Sequence, residues 1–209
     1  MVRVKICGIT SFDDALLCVK EGIDGLGFVF YPGSKRYILP EEAEKIVKEL
    51  PPFICKVGVF VNEEGERVLD IAHWVGLDAI QLHGEETPDV CKRLAQYFTV
   101  IKAFSIAGPE DPERVFEYKG VTPLFDTQTP EYGGSGKTFI WKYLIPYREK
   151  VKYFILSGGL TVENVEHAIK AVNPYAVDVS SGVERTPGKK DPDKVREFIR
   201  LVKHISSIE

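Results

Sequence analysis

Short apolar runs of strand character alternate with amphipathic helical stretches from one end of this chain to the other, with the strand first in every pair. The strand-like runs are Val2–Cys7, Gly25–Phe30, Cys55–Val61, Ala79–His83, Val100–Phe104, Thr122–Asp126, Tyr153–Leu156 and Ala176–Val179. Helical patterning follows at Phe12–Glu21, Pro40–Leu50, Glu64–Val75, Pro88–Gln96, Pro112–Tyr118, Trp141–Arg148, Val162–Ala171 and Pro192–Ile205, the fifth and sixth being the weakest. Ser11, Thr87, Thr161 and Asp191 supply helix-start signals. Such alternation limits the fold to a parallel sheet with helices packed on it. Over 209 residues the eight pairs average about 26 residues each, which fits a (β/α)8 barrel at the lower end of its size range. An open doubly wound sheet shows the same alternation, but its Gly-x-Gly-x-x-Gly fingerprint after the first strand is absent. The pattern therefore predicts one α/β domain over residues 1–209, a (β/α)8 TIM barrel with no linker.

Charge and composition narrow the function. With 27 Lys and Arg against 31 Asp and Glu, the net charge of −4 excludes a dominant electrostatic affinity for nucleic acid, while a local basic patch remains able to bind a small anion. No apolar run approaches the roughly 18–20 residues of a membrane span, and the N-terminal residues carry no signal-peptide pattern. A cytoplasmic protein with no membrane or nucleic-acid partner is expected. The cysteines Cys7, Cys18, Cys55 and Cys91 form no Cys-x-x-Cys pair, and no histidine cluster accompanies them, so neither a metal nor a disulfide is expected. Cys18, Cys55 and Cys91 read as small buried hydrophobes.

In a barrel of this kind function lies at the C-terminal ends of the strands. The polar residues there are Cys7, His83, Asp126 and Asp178. Cys7 closes its strand with Gly8 behind it, which leaves the sulfur room to act as nucleophile or base. Asp126 precedes the loop Thr127–Lys137, whose Gly133-Gly134-Ser135-Gly136 run fits a lid better than a phosphate cradle. Asp178 suits either a structural acceptor for backbone or lysine groups or a ligand contact, and His83 suits a binding contact. The turns Ser157-Gly158-Gly159 and Ser180-Ser181-Gly182 follow the seventh and eighth strands, where barrels commonly bind phosphate. The starts of the segments near Thr161 and Val183 would add positive helix ends. Arg36, in the loop after the second strand, fits either a bidentate grip on a carboxylate or a solvated loop charge.

Taken together, Lys5-Ile6-Cys7-Gly8-Ile9-Thr10, Gln81-Leu82-His83-Gly84, Phe125-Asp126, Ser157-Gly158-Gly159-Leu160 and Asp178-Val179-Ser180-Ser181-Gly182-Val183-Glu184 resemble the phosphoribosylanthranilate isomerase family over the whole chain. The resemblance implies a (β/α)8 barrel without metal or organic cofactor, acting on a small phosphorylated substrate in tryptophan biosynthesis by an Amadori rearrangement. It makes Cys7 the general base and Asp126 the general acid, sets Arg36 on the anthranilate carboxylate, surrounds the phosphate with Gly158, Gly159, Ser180, Ser181 and Gly182, and leaves His83 and Asp178 as polar contacts. A thiol acting as base calls for nearby positive charge, and Lys5 on the same strand face is one source. Another phosphosugar barrel, of the epimerase or indoleglycerol-phosphate synthase type, and a non-catalytic phosphosugar-binding protein are the alternatives. The oligomeric state is open, with a homodimer compatible.

Overall fold

A computed structural model describes residues 1–127, 138–151 and 153–205. Its eight strands β1 (Arg3–Cys7), β2 (Gly25–Val29), β3 (Cys55–Phe60), β4 (Ala79–Leu82), β5 (Thr99–Ile106), β6 (Thr122–Thr127), β7 (Ile155–Leu156) and β8 (Ala176–Val179) close into a parallel barrel in sequence order, β8 pairing back onto β1. The helices are α1 (Phe12–Lys20), α2 (Pro40–Lys48), α3 (Gly65–Val75), α4 (Pro88–Leu94), α5 (Val165–Val172) and α6 (Pro192–Ile205).

Local chemistry sets several boundaries. Ser11 caps α1 by accepting from the Asp14 N–H, and Thr87 caps α4 by accepting from the Val90 N–H. Gly76, in the left-handed conformation at φ 77°, ends α3. Two of the expected helices take another form: Asp111–Glu117 and Trp141–Leu144 are 3-10 turns. The second stops short of Pro146, which has no N–H to give to an α-type bond. The expected start at Thr161 also moves. The Asn164 side chain accepts from the Thr161 N–H and donates to the Gly159 carbonyl, and α5 begins only at Val165.

Strand alternation sorts the side chains into two compartments. Ile80, Leu82, Phe104, Phe125 and Val177 face outward into the large core between sheet and helices. Val57, Ala79, Ile101, Ala103, Leu124, Ile155 and Ala176 form a separate apolar cluster inside the ring. One strand layer higher, the inward positions become polar: Lys5 and Cys7 on β1, Gln81 on β4, Asp126 on β6 and Asp178 on β8 are all buried. The barrel is thus plugged below and polar above, which restricts a ligand to its C-terminal mouth.

An element absent from the sequence expectation follows β8. Ser181–Val183 is a three-residue 3-10 turn, so no helix starts at Val183; the chain instead makes an antiparallel hairpin of β9 (Glu184–Thr186) and β10 (Lys189–Lys190) before α6. The Thr10 hydroxyl donates to the Gly188 carbonyl at 2.6 Å and ties this hairpin to the loop after β1. Cys55, expected to be buried, is exposed at the start of β3. The proposed lid, Tyr132 to Lys137, lies outside the described residues.

Candidate active site

An open pocket of about 570 Å³ at the C-terminal mouth is lined by Cys7, Arg36, Gln81, His83, Asp126, Ser157, Asp178 and Ser180, with Val29, Tyr31, Ser34, Val59 and Val61 completing the wall. Six of the residues singled out from sequence, Cys7, Arg36, His83, Asp126, Asp178 and Ser180, therefore share one cavity. Gly158, Gly159, Ser181 and Gly182 stand beside it in the turns after β7 and β8. Those two turns touch: a Cβ on Gly182 would overlap the Leu160 carbonyl oxygen. Gly158, at φ +89°, lies so close to the end of β6 that a Cβ would come within 2.5 Å of Thr127 Oγ1.

The polar groups are paired in defined ways. Lys5 Nζ donates to Asp178 Oδ1 at 2.8 Å, with both side chains only 6% exposed. Asp178 is thus a structural acceptor for a lysine and a pocket wall at once. Burial pushes its carboxyl up, and the Lys5 ammonium pulls the other way. Burial also pushes the Cys7 thiol up, against the pull of Lys5 and Lys190. Lys5 lowers the thiol, as expected of a positive charge on the same strand face, but does not decide the net direction. Desolvation of a thiolate outweighs a cation whose charge is already shared with Asp178.

His83 Nε2 lies 3.2 Å from Asp126 Oδ2, and Asp126 Oδ1 accepts the Thr127 N–H at 2.7 Å. Arg36 is not a solvated loop charge. Its side chain is 12% exposed, its Nε and Nη2 donate to Glu184 at 2.9 and 2.7 Å, and its stem crosses Gly8 at φ +79°, where a Cβ would lie 2.5 Å from Arg36 Cδ. Glu184 also accepts from Lys190 Nζ at 2.8 Å, and the same ammonium donates to the Cys7 carbonyl at 2.6 Å. Burial alone would raise the Glu184 carboxyl, but the two cations bring it below the usual carboxylate range. Ser180 Oγ donates to that Cys7 carbonyl at 3.1 Å.

Four residues of this arrangement were not picked out from sequence. Gln81 shares a strand face with His83, two residues on, and period-two alternation was a usable signal for it. Gly27, in register with Cys7, leaves space for the thiol; a Cβ there would sit 2.8 Å from Cys7 Sγ. Glu184 and Lys190 reach the site only through the hairpin, for which the Pro187-Gly188 turn dipeptide was the usable local signal.

A polar mouth with a buried thiol, a His–Asp pair and an arginine fork suits proton transfers on an anionic small molecule. Residues 4–201 match the family model of N-(5'-phosphoribosyl)anthranilate (PRA) isomerase. The chain belongs to the phosphoribosylanthranilate isomerase family.

Within that family the N-(5'-phosphoribosyl)anthranilate isomerase of Thermotoga maritima is 57% identical over 203 residues, covering 97% of this chain and 99% of the relative. The crystal structure of phosphoribosyl anthranilate isomerase from that organism has a TM-score of 0.94 at 57% identity, over 98% of this chain and 100% of that one. A crystal structure of monomers generated from the dimeric T. maritima enzyme has a TM-score of 0.90 at 51% identity, again over 98% and 100%. A phosphoribosyl anthranilate isomerase in complex with reduced 1-(o-carboxyphenylamino)-1-deoxyribulose 5-phosphate has a TM-score of 0.90 at 52% identity with the same coverage. As a phosphoribosylanthranilate isomerase family member the chain is an isomerase of tryptophan biosynthesis with a (β/α)8 barrel.

Proposed function

We propose that the chain converts N-(5'-phosphoribosyl)anthranilate to 1-(2-carboxyphenylamino)-1-deoxyribulose 5-phosphate, as a cytoplasmic enzyme, with Cys7 as general base and Asp126 as general acid. The observation that carries this reading is that Cys7, the last residue of β1, and Asp126, the last but one of β6, line the same pocket. Asp126 gives a proton to the furanose ring oxygen; the C1–O bond breaks as the anilino nitrogen lone pair forms the C1=N bond of a Schiff base. Cys7 then takes the C2 proton, and the freed electron pair makes the enolamine. That enolamine gains a proton at C1 and loses its C2 hydroxyl proton, giving the ketone. Arg36 would hold the anthranilate carboxylate, Gly158, Gly159, Ser180, Ser181 and Gly182 would surround the phosphate, and His83 and Asp178 would be polar contacts.

The deciding experiment is turnover by the purified protein of phosphoribosylanthranilate generated in place, beside the histidine-pathway aminoaldose. Cys7→Ala and Asp126→Ala should each lower kcat by about 10²–10⁴-fold in folded protein. Near-normal turnover in either variant removes that residue from the mechanism.

Assembly as a homodimer is part of the same proposal. At the N-terminal end of the barrel an open hollow of about 1330 Å³ is walled by Val57, Ala79, Ile101, Ile155 and Ala176. On its rim Phe53 is 99% exposed and held at φ 72°, a conformation that a bulky residue rarely adopts. An aromatic knob beside an apolar hollow is self-complementary about a two-fold axis. Phe53→Glu should convert a dimer to a monomer in sedimentation; a wild-type monomer refutes the assembly.

A further inference from the structure

The buried amide of Gln81 has no task in the chemistry above. The residue is 1% exposed on β4, two positions before His83 and on the same inward face. Its Nε2 lies 3.0 Å from His83 Nδ1, and Nε2 of that imidazole lies 3.2 Å from Asp126 Oδ2, so the three side chains form one line. Its Oε1 is buried without a hydrogen-bond partner among the described residues, although the side chain lines the pocket. A buried acceptor on a pocket wall points to a donor on the molecule that fills the pocket.

An amide NH2 can only donate, so His83 Nδ1 accepts and the proton of the neutral ring sits on Nε2. We infer that Gln81 is a positioning residue whose Nε2 holds His83 in the Nε2–H tautomer, while its Oε1 receives a hydrogen bond from an O–H or N–H of the bound substrate. The inference rests on the isomerase reading above, in which Asp126 delivers the acid proton. Held this way, His83 donates to Asp126 Oδ2 while the Thr127 N–H donates to Oδ1. With a donor on each oxygen, the proton of a protonated Asp126 is offered to the substrate. The opposite tautomer would present a bare Nε2 to Asp126 and draw that proton back into the protein. The other ionisable groups of this pocket are Asp178 with Lys5 paired to it, Cys7, Tyr31 and Arg36. They line it from β8, β1 and the loop after β2, so the amide is the group in line with Nδ1 along β4.

The test begins with the ring 15N chemical shifts of His83 in the wild-type protein, assigned by their loss in His83→Gln. An unprotonated Nδ1 with a protonated Nε2 is expected; the reverse overturns the assignment, and this measurement needs no Gln81 variant to fold. Gln81→Glu keeps an acceptor oxygen but removes the NH2. It should move the ring proton to Nδ1 and lower kcat about 10–100-fold while KM stays within about threefold. Gln81→Met removes both atoms and should raise KM as well, by about fivefold or more. Wild-type kcat in a folded Gln81→Glu protein, or an unchanged KM in Gln81→Met, overturns the corresponding half of the inference. Should the wild-type protein fail to turn over phosphoribosylanthranilate, the isomerase reading falls, and the 15N shifts still decide the tautomer separately.

Discussion

Arg36 and Glu184, 148 positions apart, meet through one edge of the guanidinium: Nε lies 2.9 Å from Oε1 and Nη2 lies 2.7 Å from Oε2. A planar fork held along one edge leaves its other edge, Nη1 with the second Nη2 hydrogen, without a partner among the described residues and able to grip a second carboxylate in a fixed orientation. Arg36→Met should therefore lower kcat/KM by about 10–150-fold, the loss of a charge-assisted hydrogen bond of about 1.5–3 kcal/mol. Arg36→Lys should lose less, because it keeps the charge without the fork. An analogue lacking the carboxylate separates recognition from general damage. Wild type should discriminate against it and Arg36→Met should hardly do so. Equal preference by both enzymes returns Arg36 to a purely structural role beside Glu184.

Glu184 makes the site sensitive to acid in a defined direction. Its carboxyl is held below the usual range by Arg36 and Lys190. A group whose folded pKa is depressed contributes stability that is present above its unfolded value, about 4.3, and lost as pH falls through the folded value. Wild type should lose stability steeply below about pH 4, and Glu184→Gln should show a shallower loss over the same window. Urea midpoints at pH 3 and pH 7 for the two proteins measure the difference; parallel losses would show that the carboxylate is not the responsible group.

The four cysteines should separate by reactivity. Cys18 and Cys91 are buried, with thiols pushed up to about 12 and about 11 by desolvation. Cys55 is exposed and Cys7 faces the pocket, both with thiols raised by burial. Alkylation should label Cys55 and Cys7, accelerate as pH rises past the ordinary thiol range, and abolish activity only with the Cys7 label. A product analogue should protect Cys7 alone. For the same reason kcat/KM should climb with pH on its basic side, where the thiolate forms. Inactivation that tracks labelling of Cys55 would remove Cys7 from the role of base.

Gly27 provides a test of the space around the thiol. A Cβ there would lie 2.8 Å from Cys7 Sγ and 3.1 Å from Lys5 Nζ. Gly27→Ala should displace the thiol and lower kcat by about 10²-fold, the scale of a misplaced catalytic group, with far-UV circular dichroism unchanged. Full activity would mean that Cys7 Sγ is not held at this position during turnover.

The periodicity of the chain determined by itself how many barrel strands there are, their order and the inward direction of Cys7, His83, Asp126 and Asp178, because alternation along a strand and the strand-before-helix rhythm are local properties. Lys5 was legible as a neighbour of Cys7 on one face, yet not as the partner of Asp178, 173 positions away. Only closure of β8 onto β1 brings those two together and divides the lysine's charge between carboxylate and thiol. The sign of the Cys7 shift followed from that closure too, since it is the balance of desolvation against charge, and burial exists only in the folded ring. Likewise the Arg36 loop and its charge could be read along the chain, whereas the placement of the hairpin that carries Glu184 and Lys190 beneath it, which turns a loop charge into a fixed fork, is a product of packing between the two ends of the sequence. Secondary structure here comes from neighbours in sequence; the pairing of buried charges comes from neighbours in space, and those are decided when the barrel closes.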